Sequence, residues 1–414
     1  MLMRLKSLVF SMASILLLAA CSPASGPVLE VTNPYAQPVK GKAFVLNRAE
    51  VERLVQSEVP SGKAVKVTNN KGQVLAVQLD DLNGNQQWDE LVFQADFAQE
   101  ETLHFSFEVV EAAELDFPQR TNVRFARRDA PYEEVQEAER LHSVDSPTIS
   151  AVFQMEGPAW ENDVVGFRNY YDARNGMDIF GKRTAEMVLD KAGIEGQDYH
   201  SLDEWGMDIL KVGTSLGAGA LAIGFGEELY RVGPAQKGGY RLISEGPVRA
   251  VFDLTFEGVP AGDRLYDLTH RISIYAGDHF YRSEVWVEGL QGDEFLYTGI
   301  VDMHELPVFE VDAEGFRVFG THGNQGFMDE VLGLGIIIPD QHFVQYKAAP
   351  KSGAGIIETH LTALQPLEGL SAEYAFAAGW EYQDNGFSNA HYFQEVLKQS
   401  AQKLDSDKWQ STLK

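Results

Sequence analysis

The sequence predicts a mainly β protein: a small immunoglobulin-like β-sandwich followed by a large antiparallel β-sandwich. Three observations predict it. Many short runs alternate apolar and polar residues, the period that puts one face of a strand on a core and the other in water. The chain carries 38 glycines for turns, and its aromatic content is 11%. Helical periodicity is confined to three short stretches.

Taken in order, strands are expected at Ala64–Thr68, Val74–Leu79, Leu91–Phe93 and Leu103–Val109, then at Arg249–Phe256, Leu268–Tyr275 and Glu284–Glu288. The helical stretches are Arg48–Gln56, Thr184–Ala192 and Ala390–Leu404. Residues 28–115 are the size of an immunoglobulin-like sandwich. Residues 116–145, charged and carrying Pro118 and Pro131, read as a connecting arm. Residues 146–414 form the larger sandwich, ending in the Ala390–Leu404 helix. No repeat of fixed period is apparent.

Residues 1–20 have the three parts of a secretory signal: Arg4 and Lys6, an apolar stretch from Leu8 to Leu18, and Ala19-Ala20 before Cys21. That stretch is shorter than the roughly 20 apolar residues a membrane span needs. A small-residue site followed at once by Cys fits a bacterial lipobox, so Cys21 is expected to carry a lipid. Residues 21–27 then form a lipid-anchored tether. Cys21 is the only cysteine, which rules out an intramolecular disulfide. Ser22, where an inner-membrane retention signal favours Asp, points to an outer-membrane lipoprotein, periplasmic or cell-surface facing. The anchor is the only membrane contact expected.

The formal net charge is −27, and loss of Arg4 and Lys6 with the leader makes it −29. Such a surface excludes nucleic acid as a partner, because that affinity comes from neutralising phosphates. An anionic substrate would need cations gathered locally in a cleft.

Five stretches carry candidate chemistry. In the first, Asp81, Asn83, Asn85, Gln87 and Asp89 have the oxygen-ligand spacing of a loop around a hard cation. They fit equally an Asn-Gly hairpin turn between two strands. The second holds Trp160, Glu161 and Asn162, then Arg168 and Tyr170. Residues two apart on a strand share a face, so Arg168 and Tyr170 point together. They read either as a carboxylate clamp with a phenol for proton transfer or as a salt bridge with packing tyrosines. The third runs from Tyr199-His200 through Trp205, Gly206, Asp208 and Lys211 to Gly219, the densest mixture of ionisable residues and glycine. His200 has a side chain suited to acid or base work near neutral pH. The fourth comprises scattered groups, among them Arg271, Asp302-x-His304 and His322, and the fifth is the aromatic segment around Trp380. No Gly-Lys-Ser/Thr phosphate loop, H-E-x-x-H or G-x-S-x-G occurs.

Trp160-Glu161-Asn162-Asp163 with Phe167-Arg168-x-Tyr170, Tyr199-His200 with Gly206-x-Asp208 and Lys211-Val-Gly213, and Leu216-Gly217-Ala-Gly219 resemble an exported bacterial family. It is the family of uronyl-oligosaccharide (ulvan) dehydratases, long catalogued as a domain of unknown function. The resemblance covers about residues 70–395. It implies a mutarotase-like fold for the large sandwich and a uronic-acid-containing oligosaccharide as partner. The implied reaction eliminates water across C4–C5 of a non-reducing-end uronate, leaving a 4,5-unsaturated uronyl end. Such chemistry needs a cation to offset charge building on the carboxylate, a base for the C5 proton and an acid for the departing hydroxide. The expected roles are Arg168 with Lys211 or Lys182 on the carboxylate, and His200 and Tyr170 as base and acid in either order. Glu161 orients Arg168 or His200, with His304 and His322 in reserve. Trp160, Trp205, Trp380, Asn162 and Arg271 complete the expected substrate-binding set. No cofactor is required, and calcium enters only as a structural ion at the Asp81 loop.

Two other readings remain open. A polysaccharide lyase or epimerase shares the abstraction at C5 but differs in the fate of the resulting carbanion. A non-catalytic carbohydrate-binding lipoprotein would use the tryptophans as stacking platforms.

Overall fold

Residues 26–128, 132–141, 152–194, 196–367 and 369–414 are described by the computed structural model of the chain. The signal segment and Cys21 lie outside them. The described chain is mainly β, and every named strand pair in it is antiparallel.

The small sandwich follows from alternation. In the strand Lys63–Asn69, Val65 and Val67 are fully buried; in Thr102–Glu111, Leu103 and Phe105 are. These strands pair with each other and, through the latter, with Val28–Thr32. A second sheet of Val39–Asn47, Glu90–Phe97 and Val77–Asp80 closes over them. Phe44, Phe93, Phe97 and Phe105 interlock between the sheets. Burying one such ring contributes roughly 1.5–3 kcal/mol. The helix Arg48–Val55 starts where expected, with Asn47 and Glu50 forming a reciprocal capping box. One boundary differs from expectation. Trp409 packs in this small core, and the strand Ser411–Leu413 pairs with Val28–Thr32, so the end of the chain belongs to the first sandwich.

Residues 116–145 are more than a connector. Thr121–Arg124 joins the sheet of Ala159–Asn162, and Glu137–Leu141 forms the edge of the largest sheet. Pro118 interrupts neither strand. Thr184–Ala192, expected to be helical, consists of bends and turns. Glu161 accepts the backbone N–H groups of Val188 and Leu189 and holds the segment in place of a helical ladder.

The large sandwich has a nine-stranded sheet running, in spatial order, through Phe309–Ala313, Phe316–Asn324, Val331–Pro339, Ala372–Trp380, Phe280–Glu288, Arg264–Tyr275, Arg249–Ala261, Lys237–Ser244 and Glu137–Leu141. Facing it are two five-stranded sheets, one built on Val165–Asn169 and Met177–Lys182, the other on Phe295–Val301 and Thr359–Leu364. Trp160 and Phe167 from the first of these meet Tyr281 and Phe376 of the large sheet in the shared core. That contact sets the parity of both layers. Residues next to Phe167 point away from the large sheet, and residues next to Tyr281 point out of its far side.

The far side of the large sheet is covered at two places. At one, Arg249 ion-pairs with Asp80 and Glu90 of the small sandwich, while Val92 packs against Val248 and Tyr275. At the other, Phe393 and Leu397 of the helix Ala390–Leu404 lie on Val331–Pro339. Gly333 and Gly335 allow that approach, since a Cβ on either would stand 2.5 Å from Phe393 or Leu397.

The interior also holds a buried imidazole. His270 bonds Ser283 at 2.9 Å, and burial pulls its pKa down to about 3. A folded-state pKa below the ordinary 6.5 means the unfolded chain takes up the proton first. Stability from this group is therefore complete above pH 6.5 and declines as pH falls toward 3, by roughly 1.4 kcal/mol per unit. Urea unfolding from pH 7 to pH 4 is expected to show this decline, and His270→Gln is expected to flatten it. Equal slopes in both proteins would contradict the assignment.

Candidate active site

The side of the Val165–Asn169 sheet that faces away from the core carries the densest buried ionic cluster on that side of the molecule. Because Phe167 points inward, Arg168 points to the other side, and Asp178 stands directly across from it on the neighbouring strand. Phe180 on the same side is opposite Asp208. Alternation therefore delivers Arg168, Asp178, Phe180 and Asp208 to one surface. A second small core of Met155, Ala159, Phe180, Val188, Leu189 and Ala192 caps it.

The Arg168 guanidinium has five N–H donors, and all are engaged. Nε and Nη2 reach Asp178 Oδ2 at 3.1 and 2.7 Å. Nη2 also reaches Asp208 Oδ2 at 2.7 Å and Tyr170 Oη at 3.0 Å. Nη1 donates to Met155 O at 3.2 Å and Tyr199 Oη at 3.0 Å. Tyr170 in turn donates to Asp178 Oδ2 at 2.6 Å. The guanidinium carbon lies 4.7 Å from the Tyr170 ring centre and 5.2 Å from that of Tyr199, so the cation is also sandwiched by π-faces.

Electrostatics follow from this crowding. Burial opposes the charge of Arg168, but Tyr170, Asp178, Asp208 and Tyr199 more than offset it and hold the group cationic. Burial, then the adjacent Asp178, pushes Asp208 well above the usual carboxylate range, against the pull of Arg168. Burial and Asp178 likewise raise Tyr170, so its phenol keeps its proton. His200 sits at the mouth with its side chain 45% exposed. Its Nε2 is 3.5 Å from Asp208 Oδ2 and its Nδ1 is 3.4 Å from Asp198. Its ring lies against Tyr199 and the exposed Phe327. The result is an accessible imidazole connected through a carboxylate to a buried guanidinium and a protonated phenol.

Several sequence expectations change here. Arg168 cannot clamp a substrate carboxylate, because no N–H remains free; it organises the cluster instead. Lys182 is fully buried and bonds Glu161 Oε2 and Asn162 O, both at 2.5 Å, so it too is withdrawn from substrate. Glu161 orients neither Arg168 nor His200, since its oxygens hold Lys182, Asn122 and the Val188–Leu189 backbone. Asn162 fixes the backbone at Tyr275 and Asp278. Trp160 is fully buried and Trp380 is 3% exposed over Gly181, so neither is a stacking platform. Trp205 is half-buried against Phe180, near the cluster. Lys211 stands exposed, three residues beyond Asp208.

The remaining candidates lie elsewhere. Arg271 pairs with Asp253 on the far side of the large sheet. His322 bonds Phe387 O at 2.8 Å and holds a turn. His304 is exposed, and its neighbour Asp302 faces His360 and Lys351 rather than His304. In the Asp81 loop, both Asp81 oxygens accept from the amides of Asn83, Gly84, Asn85 and Gln86. Those amides hold the Asp81 carboxyl below its ordinary range despite some burial. Asp89 accepts from Leu82 N and from Asn83, while Asn85 accepts from Gln87 N. These contacts are those of a turn closed by its own side chains, as in the hairpin alternative. Among the described residues no cluster of three acidic, His or Cys side chains is set to hold a metal.

Sequence reasoning missed Asp178 and did not assign roles to Tyr199 and Asp208. The signal for Asp178 was present: Met177 and Ile179 alternate with Asp178, Phe180 and Lys182, a strand with chemistry on its second face.

Residues 31–407 match the family model described as a domain of unknown function, DUF4861. An uncharacterized protein, P7, of Formosa agariphila is 27% identical over 199 residues, spanning 44% of this chain and 48% of that protein. Two solved structures from Enterococcus faecalis overlap 95% of the chain. An alpha-mannosidase from strain V583 does so at a TM-score of 0.44 and 8% identity, covering 46% of its own length. A glycosyl hydrolase family 38 protein does so at 0.42 and 9%, covering 48%. The chain thus spans about half the length of the relatives it matches.

Replacing Arg168 by Met leaves Asp178 and Asp208 buried without a counter-charge. Denaturant unfolding at pH 7 is expected to show a loss of about 3–5 kcal/mol. Adding Asp208→Asn is expected to recover part of it, and strict additivity of the two changes would contradict the coupling.

Proposed function

We propose that this chain, which belongs to the DUF4861 family, is a dehydratase that removes water across C4–C5 of a non-reducing-end uronic acid in an oligosaccharide. The observation that carries the reading is the accessible His200 backed by Asp208, beside the proton-retaining Tyr170. Elimination needs one group that accepts a proton and one that donates it, roles an imidazole and a phenol can take.

In this reading His200 removes the C5 proton, with Asp208 3.5 Å from Nε2 fixing the ring and the carboxylate of Asp198, 3.4 Å from Nδ1, stabilising the imidazolium that forms. The electron pair moves into the C4–C5 bond as the C4–O bond breaks. Tyr170 gives its proton to the departing hydroxide, which leaves as water, and the uronyl end becomes unsaturated. Arg168 keeps Tyr170, Tyr199, Asp178 and Asp208 in fixed relation, so little reorganisation is needed during reaction. The exposed Lys211 is the cation we assign to the substrate carboxylate, in place of Arg168 and Lys182. The chain's charge of −27 makes such a local cation necessary for an anionic sugar.

Incubating the protein with saturated uronyl oligosaccharides tests this by mass spectrometry and ultraviolet absorbance. Loss of one water with new absorbance is expected. Chain cleavage would instead indicate a lyase, C5 inversion without mass change an epimerase, and binding without conversion a carbohydrate-binding lipoprotein. His200→Ala and Tyr170→Phe are each expected to cut turnover by about 10²–10⁴-fold. Folded variants with full turnover would overturn the assignment.

We also propose that Cys21 carries a lipid that holds the domain at the outer membrane, as the preceding Leu18-Ala19-Ala20 supports. Among the described residues no helix is long and apolar enough to span a membrane. Cys21→Ser is expected to move the protein from the membrane to the soluble fraction; unchanged membrane fractionation would refute the lipidation.

A further inference from the structure

On the opposite side of the molecule from His200, the large sheet carries an ordered row of charged residues that the proposed reaction does not use. In-register pairing places Glu137, Arg241, Asp253, Arg271, Glu284 and Glu373 side by side across six adjacent strands. Parity sends them outward: His270, Ile272, Ser283, Val285 and Tyr374, which alternate with them, are buried in the sandwich. The small sandwich touches the row at Arg241, which donates to Leu82 O, and Asp253 is buried; Arg271 and Glu284 are half-buried and Glu373 is exposed.

Two features set the row apart from an ordinary surface ladder. Arg271 and Asp253 form a two-bond ion pair, with Arg241 on the other side of the same carboxylate. Glu284 and Glu373, in contrast, stand directly opposite each other. Like charges in that position destabilise a sheet, an effect that Arg271, directly across from Glu284 on its other side, offsets in part. Burial, then Glu373, raises the Glu284 carboxyl above its ordinary range, against Arg271, Arg249 and Arg282. Beside this pair lies Trp286, half-buried, with its ring 5.8 Å from the Arg271 guanidinium carbon and Thr269 across from it. A cavity of about 610 Å³ is lined by Arg282, Glu284, Glu373 and Asp407, and one of about 690 Å³ by Arg241, Asp253 and Thr269; Arg271 and Trp286 stand between the two.

We propose that this face is a second carbohydrate-binding site, which holds a stretch of oligosaccharide away from the reacting end. A pyranose ring stacks on Trp286, whose apolar face suits the C–H face of a sugar. Sugar hydroxyls donate to Glu284 and Glu373, relieving their mutual repulsion, and accept from Arg271. The inference rests on the proposed function for the class of ligand alone; it requires no elimination chemistry.

Titration calorimetry with a saturated glucuronate-containing tetrasaccharide, on the full chain in detergent, provides the test. Trp286→Ala is expected to weaken binding about tenfold or more at this site, a change of about 1.4 kcal/mol. Glu284→Gln is expected to weaken it less, and Trp286→Phe to restore part of it. His200→Ala should leave this binding in place. Thermal melts that match the parent exclude misfolding, and Trp286→Phe serves if the alanine variant does not fold. Parent-like binding by the folded Trp286 and Glu284 variants overturns the proposal, as does absence of binding by the parent. Loss of binding in Trp286→Ala together with no turnover by the parent would leave this site standing and remove the dehydratase reading.

Discussion

A guanidinium that water does not reach must place all its donors on protein acceptors, and that constraint organises the candidate site. Arg168 meets it with two carboxylates, two phenols and one backbone carbonyl drawn from five segments of chain. Each partner is fixed by the demand of the same cation, so Tyr170, Tyr199 and Asp208 are held in one arrangement. A cluster of this kind is costly to desolvate and adds little net stability compared with an apolar filling. Its value lies in geometry: it leaves a single imidazole at the surface with a buried carboxylate behind it.

The neighbouring Lys182–Glu161 pair obeys the same rule for a different purpose. Both side chains are fully buried. The carboxylate also receives two backbone amides from the Val188–Leu189 segment, which forms no helix of its own. That segment caps the cluster, so a structural ion pair supports a chemical one a few residues away. The residues of the Trp160–Asp163 stretch thus serve mainly to build the support. Asp163, for instance, pairs with Arg120 and accepts the Gly277 amide, tying the sheet to the loop beyond Tyr275.

Both faces of the large sandwich acquire charged surfaces through the same device. Short strands that bury one face against the other layer present every second residue outward, and register aligns those residues across strands. On the His200 side the outward residues are sealed under a secondary core and become a buried cluster. On the other side Arg271, Glu284 and Glu373 stay partly open, while Arg249 and Asp253 are buried. In both places carboxylates balance the arginines: Asp178 and Asp208 at Arg168, and Asp253 at Arg241 and Arg271.

Periodicity within single elements was enough to read the mainly β class, the two sandwiches, the helices at Arg48 and Ala390, and the shared face of Arg168 and Tyr170. All of these are local properties of the chain. Periodicity could not reveal that Asp178 lies across from Arg168, that Lys182 pairs with Glu161, or that Trp409 returns to the first core. Those facts depend on register and on contacts between distant segments. Nor could it separate Trp160 and Trp380, which fill the core, from Trp286, which does not. Burial depends on what packs above a side chain, so it emerges only when distant parts of the chain come together.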